Sequence, residues 1–588
     1  MEKRSFSIEC EDRRAEISIR PVSEAGGISE YRLQVMLPEK AAPPPVKITW
    51  HEKMRDMLSV WHPSCGRDHA IRQWFSKTVN RASFQSGAPV LAVIGDRDRN
   101  AASVALSDPV TPTEIAFWVE DLEQKYEVGF SVTLFAEATD VLAFYETTLR
   151  VDRREIPYYQ AVREVTSFWE RAGYSIPLPP EGAEDALYSS WYNFHQAPES
   201  GKLLRELAAA ARLGFRTMIL DDGWQFAGPS SGNYALCGAW LMDHEKFPDF
   251  RDFVEKAHAF GIKVMVWFTV PFVGLDSPLF ESFRGKYLHI DHGVFKAGIL
   301  DVRFPEVREA IKATYKRFLK DYDIDGFKLD FIDAFRPGDE TVPYDPARMD
   351  TETVGAAVEK LLTEIGEELA SVKAGLLFEY RQNYVGPAIN RFGNMLRVGD
   401  CAYDALSNRV GICDIRLHGY PVAPHSDMLY WSPEEDGDLV RKQLLNILFA
   451  VPQISVLLEE STEEQKACLK SYLDYWTGNR EVLLHGTFRP HSPEANYTLI
   501  EAEGEEKTIA VLHGIREYRW KGKACDLFLD AGEEGILFEN TGESPLTASV
   551  YRGFCEEKIS ETAVPPHSVI RLPVPRMGLA RVARKSEE

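Results

Sequence analysis

The chain has 588 residues, 44% hydrophobic and 27% charged, which is too long for one core and fits three or four domains of the usual ~150-residue size. Its formal charge of -23, from 67 basic and 90 acidic side chains, repels nucleic acid and anionic membrane. Both are set aside as partners, and a neutral or cationic small substrate is favoured.

The first residues, running from Met1 into the charged Glu11-Asp12-Arg13-Arg14, hold no apolar stretch of the kind a secretory signal needs. Nor does any apolar run of about 18 residues suggest a membrane span. Alternating apolar and polar residues at 15–20 and 31–37 predict half-buried strands, and Pro43-Pro44-Pro45 marks a turn or edge between two of them. Segments 90–94 and 128–135 continue the pattern, so 1–176 reads as an N-terminal β-sandwich closed by a linker helix ending near Gly173. Within it, His62, Cys65 and His69 lack a fourth ligand and a finger spacing, so they read as a polar surface loop rather than a metal site.

From 177 to 484 strands and helices alternate. Strands are predicted at 186–191, 216–220, 263–268, 326–331, 376–380, 394–399 and 454–458, with helices at 202–213, 249–260, 305–322, 350–370 and near 435–450. This makes the chain an α/β protein with a central (β/α)8 barrel; a doubly wound sheet is the alternative, but no Gly-x-Gly-x-x-Gly turn opens any helix. After 485 strand alternation returns, predicting a C-terminal β-sandwich over 485–588 with a frayed tail at 581–586. Eight cysteines follow neither a disulfide framework nor a zinc pattern, and reduced thiols in a cytoplasm are the simplest reading.

Three predicted barrel strands stop at carboxylates: Asp221-Asp222, Asp330 and Asp400. Lys328 and Asp330 flank Leu329 and so share a strand face, where the cation would keep the aspartate ionised, as a nucleophile requires. A simple ion pair sealing the strand end is the competing reading. Asp400 is the candidate proton donor, Asp404 its rival one helical turn on, and Gly399 would allow a bulge or close approach to a ligand. Two carboxyl groups ~5–5.5 Å apart suffice for retaining glycoside hydrolysis. Asp221 and Asp222 would diverge on a strand and reach a ligand together only if Gly223 turns the backbone; vicinal hydroxyls suit such a pair. Trp191, Trp224, Trp240 and Trp267 lie near strand ends where an indole can stack on a sugar, although each alone is more often core.

The central segment resembles the melibiase-type α-galactosidases, a clan that includes α-N-acetylgalactosaminidases and raffinose synthases. The resemblance is carried by Ser190-Trp191, by Leu220-Asp221-Asp222-Gly223-Trp224, by Gly238-Ala239-Trp240 followed by Asp243-His244-Glu245-Lys246-Phe247-Pro248, and by Leu300-Asp301 with Pro305-Glu306-Val307-Arg308. Lys328-Leu329-Asp330 and Gly393-Asn394 through Arg397 to Asp400 complete it in the same order. The resemblance implies Asp330 as nucleophile and Asp400 as acid/base of a retaining double displacement. It further implies Asp221, Asp222, Lys328 and Arg397 around the hydroxyls of a galactose-like ring, with Trp224 in the pocket and Trp191 and Trp240 nearby. Glu379 and Arg381 stand where the family faces the 2-substituent, but depart from its cysteine-containing pattern. Ala239 and Gly399 replace an aspartate and a serine of the family, so an aglycone or 6-position contact is expected to be missing.

The leading expectation is therefore an exo-α-glycosidase that uses no cofactor or metal and takes a carbohydrate substrate, as a monomer or homo-oligomer. A transglycosylase of the raffinose-synthase type shares the covalent intermediate and differs only in the acceptor. A non-catalytic sugar-binding protein would not need opposed acids.

Overall fold

The structure is a computed structural model that describes residues 5–121, 126–225 and 234–584. Met1 to Arg4, and Lys585 and Ser586 of the expected tail, lie outside the described residues.

At its centre are eight short parallel strands: β1 (Leu187–Ser189), β2 (Thr217–Leu220), β3 (Lys263–Thr269), β4 (Gly326–Asp330), β5 (Leu377–Arg381), β6 (Met395–Arg397), β7 (Ala423–His425) and β8 (Gln453–Ile454). From β1 to β7 each strand pairs with the next in sequence, and β8 pairs with β1, Leu187 opposite Gln453. Single parallel bridges from His425 to Val451 and from Leu429 to Ile454 link β7 to the β8 segment. The sheet thus curls into a barrel, and the doubly wound alternative falls away.

Outside it run α1 (Ser200–Leu213), α2 (Phe250–Ala259), α3 (Pro305–Tyr322), α4 (Val354–Ala370), α5 (Ala405–Leu417), α6 (Gly437–Asn446) and α7 (Glu463–Arg480). Their starts are fixed by local chemistry. Asp249, Thr353 and Asp436 each accept a hydrogen bond from the backbone three residues on, Thr462 and Gln465 form a reciprocal capping box, and Pro305 opens α3.

Several expectations are corrected. Helices α5 and α7 and strand β7 were not foreseen, and β5 passes to β6 through a single 3-10 turn at Ile389–Arg391 without a helix. Between β3 and α3 the chain inserts a three-stranded antiparallel sheet, Phe272–Gly274, Tyr287–Asp291 and Ala297–Leu300. The expected frayed tail begins instead as a strand, Leu579–Arg584, paired on both sides.

The N-terminal sandwich packs a five-stranded sheet on a six-stranded one, with Trp50 stacked on Phe130 at 5.3 Å between them. The proline run lies in the connection between the strands Ile28–Ala41 and Val46–Glu52. His62, Cys65 and His69 are buried rather than a surface loop: His69 Nδ1 contacts the Val60 carbonyl at 3.1 Å, and its ring meets Tyr497 edge-on. The C-terminal part has a seven-stranded and a three-stranded sheet. Among the described residues no helix is long and apolar enough to cross a membrane.

One apolar core runs from the barrel into both flanking parts. At the junction Asp414 of α5 accepts hydrogen bonds from Trp61 of the N-terminal sandwich at 2.9 Å and from Tyr497 of the C-terminal part at 3.0 Å. Burial pushes the Asp414 carboxyl up to about 8, against the two hydrogen bonds that favour ionisation. An unfolded aspartate titrates near ~3.9, so the native chain holds a proton that the unfolded chain releases. This stabilisation is complete below about pH 4 and is lost as pH rises toward 8, by up to about 1.4 kcal/mol per unit. Asp414→Asn, neutral throughout, is expected to gain on the wild type steadily from pH 5 to pH 8 in calorimetric Tm; a gap that stays constant with pH would refute this.

Candidate active site

The C-terminal ends of the strands carry the charged cluster. On β4, Lys328 and Asp330 alternate with Leu329, but Lys328 does not pair with Asp330: its Nζ donates to Asp221 Oδ2 at 2.6 Å, across β3. Asp330 is held from both flanking strands. Arg381 of β5 donates through Nε at 2.6 Å to Oδ1, and Trp267 of β3 donates through Nε1 at 3.1 Å to Oδ2. The Phe331 backbone N–H adds a bond at 2.8 Å. Burial alone would raise the Asp330 pKa, but the charges of Arg381 and then Lys328, with the Arg381 and Trp267 hydrogen bonds, bring it down to about 2. Arg381 therefore dominates where sequence pointed to Lys328.

Gly223 adopts φ 109°, and a Cβ there would lie 2.4 Å from the Gln196 Cα, so the turn after β2 requires glycine. Lys246 fixes the turn from outside by donating to the Gly223 and Gln196 carbonyls at 2.6 and 3.0 Å. The two acids before it diverge. Asp221 faces Lys328, whereas Asp222 accepts from the Gln196 and Gln225 side-chain amides at 2.7 and 2.6 Å. Burial pushes Asp222 up to about 6 even so. The structure thus brings Asp221, and not Asp222, into contact with the Lys328 cation.

On β6, Arg397 is 1% exposed and sits among three carboxylates: Asp427 after β7, Asp400 after β6 at 2.9 Å, and Glu379 of β5 at 3.5 Å. Asp427 escaped sequence reasoning, although it also accepts from Tyr192 Oη at 2.9 Å and from the Cys401 N–H at 2.7 Å. Glu379 lies below the rim, 1% exposed, where Gln453 reaches it from β8 across the barrel at 2.5 Å. It supports Arg397 from within, which corrects its expected place beside a sugar substituent.

Asp400 remains accessible, its side chain 63% exposed. The Arg397 charge lowers its pKa, with Lys328 helping, while burial and the nearby Asp330 carboxylate raise it. Asp404, the expected rival, is occupied elsewhere: it caps α5 through the Ser407 N–H at 3.0 Å and pairs with Arg67 of the N-terminal sandwich. Gly399 lines the Asp400 cavity, and a Cβ there would come no nearer to the protein than 3.8 Å, at Gln382. A cavity of about 640 Å³ beside Asp400 is lined by Gln382 and Asn383 and by Ser64 and Arg67 of the N-terminal sandwich.

The tryptophans divide. Trp224 has no exposed surface; it donates to the Trp267 carbonyl at 2.9 Å and packs against Phe268 and against Phe318 of α3, so it belongs to the layer between barrel and helix rather than the pocket. Trp240 joins that layer against Trp224 and Phe268. Trp191 stays half-buried at the rim, edge-on to His195. Beside Asp330 the wall is Trp267 with Tyr234 stacked on it at 6.0 Å, and Tyr234 in turn meets Phe331. Tyr384 and Asp333 were also not foreseen: the Tyr384 hydroxyl lies 3.2 Å from Asp333 Oδ1 and 3.5 Å from Asp330 Oδ1. Asp301, part of the apparent motif, is scaffold, because Arg303 grips it bidentately and ties down the 342 and 352 carbonyls.

The melibiase family profile matches residues 185–379. Residues 185–379 form a melibiase-family domain. Asp221, Asp222, Lys328, Asp330 and Glu379 lie inside the matched segment, and Arg381, Arg397 and Asp400 follow it. An α-galactosidase of Pediococcus pentosaceus is 24% identical over 158 residues, 26% of this chain and 22% of the relative. One from Escherichia coli is 26% identical over 149 residues, 24% of this chain and 20% of the relative. The matches thus span about a fifth of the length of these curated relatives. In fold, the chain is similar to an α-galactosidase from Lactobacillus brevis, with TM-score 0.67 and 13% identity over 100% of this chain and 86% of that one. It is also similar to the α-galactosidase AgaA of Geobacillus stearothermophilus in complex with stachyose, with TM-score 0.63 and 13% identity over 97% of this chain and 81% of that one.

Within residues 185–379, the Lys328–Asp221 pair is buried, so losing one partner leaves the other's charge isolated. Lys328→Met is expected to destabilise the protein by about 3–5 kcal/mol, and Lys328→Met with Asp221→Asn to recover most of the loss. Thermal unfolding of both variants measures this; equal Tm values would contradict it.

Proposed function

We propose that this chain is a retaining exo-α-galactosidase, with Asp330 as nucleophile and Asp400 as general acid/base. The observation that carries the reading is the contrast between the two acids. Asp330 is buried, clamped by Trp267 and Arg381 and ionised down to about pH 2, while Asp400 is exposed two strands further round the same rim. Strand spacing sets the ends of β4 and β6 roughly 10 Å apart, a gap that two side chains leaning inward reduce toward the ~5–5.5 Å of a retaining pair.

In the first step an Asp330 oxygen attacks the anomeric carbon as the glycosidic C–O bond breaks, and the departing oxygen takes the Asp400 proton. In the second, water gives a proton to Asp400 while its oxygen attacks the same carbon, and the Asp330 carboxylate leaves. Arg397 holds the free Asp400 ionised, so protonation requires that this contact yield as the sugar covers the carboxyl and excludes water. Asp221 and Lys328 offer an acceptor and a donor to ring hydroxyls, and Trp267 with Tyr234 an apolar wall. The stachyose complex of the Geobacillus enzyme supports a galactosyl oligosaccharide as substrate. All eight thiols are unpaired, which supports a reducing, cytoplasmic setting.

Asp330→Asn is expected to lower kcat on a nitrophenyl α-galactoside by more than about 10⁴-fold with Tm nearly unchanged. Asp400→Ala is expected to keep activity on that activated leaving group, to lose it on raffinose, and to regain turnover with azide. Full activity of Asp330→Asn would end the proposal. Because Asp330 is ionised above about pH 2, kcat/KM should show no acid limb from it down to about pH 4. Arg381→Met should bring such a limb into view; an unchanged profile would remove Arg381 from this role.

A further inference from the structure

We propose that a second cavity, between α5, α6 and the C-terminal sandwich, binds a phosphate-bearing small molecule. The cavity measures about 540 Å³, larger than a bare phosphate needs, and is lined by Arg409, Lys442, Arg576, His513, Asp530 and Asp404 among others. Three observations point to an anion.

Arg409 of α5 is 9% exposed, and its Nε has no hydrogen-bond partner. Its Nη1 donates to Asn446 at 3.1 Å, and the Asp530 carboxylate is 3.9 Å away, too far for a hydrogen bond. The Arg409 guanidinium lines the cavity with its ion-pair partner Asp530 no nearer than 3.9 Å, and its planar fork matches an oxyanion.

Lys442 of α6 and Arg576 are exposed, and neither side chain has an ion pair or hydrogen bond among the described residues. In a chain with a net charge of -23, unpaired cations gathered on one cavity are the reverse of what composition would scatter there.

The two acids on the lining are already engaged. Asp404 is paired with Arg67 and Ser407, and Asp530 with His513 at 2.8 Å and Asn446 at 3.0 Å. Neither acid is bonded to Lys442 or Arg576. His513 is neutral, since burial and then the Arg409 charge hold its pKa down to about 4. Ala405 and Leu406, which open α5, also face the cavity, where a helix start leaves N–H groups without partners in the helix. Asp404 lines both this cavity and the one beside Asp400, but none of Asp221, Lys328, Asp330, Arg397 and Asp400 lines this one.

The test is calorimetric titration of the full chain with inorganic phosphate and, separately, with glucose 6-phosphate, at constant ionic strength set with sodium chloride. Saturable one-site binding of at least one probe is expected. Equal affinity would identify phosphate itself as the ligand, and tighter binding of the hexose phosphate would identify a sugar phosphate. Lys442→Ala with Arg576→Ala, both exposed and expected to leave Tm unchanged, should weaken binding by about tenfold or more. Arg409→Lys, which keeps the charge and loses the planar fork, should weaken it as well. Absence of saturable binding of either probe, or an unchanged affinity in the double variant, would overturn the site.

Discussion

Charged groups inside a closed barrel have little water to solvate them, so acids and bases there must satisfy one another. Arg397 meets this demand for the half of the rim built from β5, β6 and β7, where one guanidinium serves Glu379, Asp400 and Asp427. Lys328 and Arg381 do the same for Asp221 and Asp330. Three cations thus serve five carboxylates, and the ionisation of each acid depends on which donor it is given. Asp330 receives a charged fork and an indole donor and stays ionised, while Asp222 receives only neutral amides and rises toward neutrality.

Much of this architecture was legible in the sequence. The carboxylate endings of β2, β4 and β6 are visible because an apolar run that stops at an acid is a strong local signal, and the alternation along β4 put Lys328 and Asp330 on one face. What failed was what depends on partners distant in the chain. Lys328 was matched with its near neighbour because sequence cannot reveal that Asp221 lies across β3. Asp427 was invisible because β7 is three residues long and contains Pro424, so nothing there reads as a strand. Trp224 was misplaced for a related reason: the turn at Gly223 sends its ring outward toward α3, and no periodicity survives such a turn. Asp404 looked catalytic because α5 was missed, and a residue at an unseen helix start cannot be recognised as its cap.

The N-terminal sandwich reaches the cavity beside Asp400. Ser64 and Arg67 of the first sandwich line the cavity that holds Asp400, and Arg67 pins the start of α5 through Asp404. The same sandwich meets the last one directly, through Asp98 and His491 at 2.7 Å, and the Tyr158 hydroxyl reaches the Pro490 carbonyl at 2.7 Å. The apolar core running continuously through all three parts gives these polar contacts a rigid frame.

The Asp414 junction also bears on the order in which the molecule can be completed. Helix α5, which follows directly from the Asp400 loop, takes one of its hydrogen bonds from Tyr497, 83 positions later in the chain. A growing polypeptide emerging from the ribosome therefore holds all eight barrel strands before it holds this donor. The hydrogen bond that ties α5 to the last sandwich can therefore form only after every barrel strand has been made.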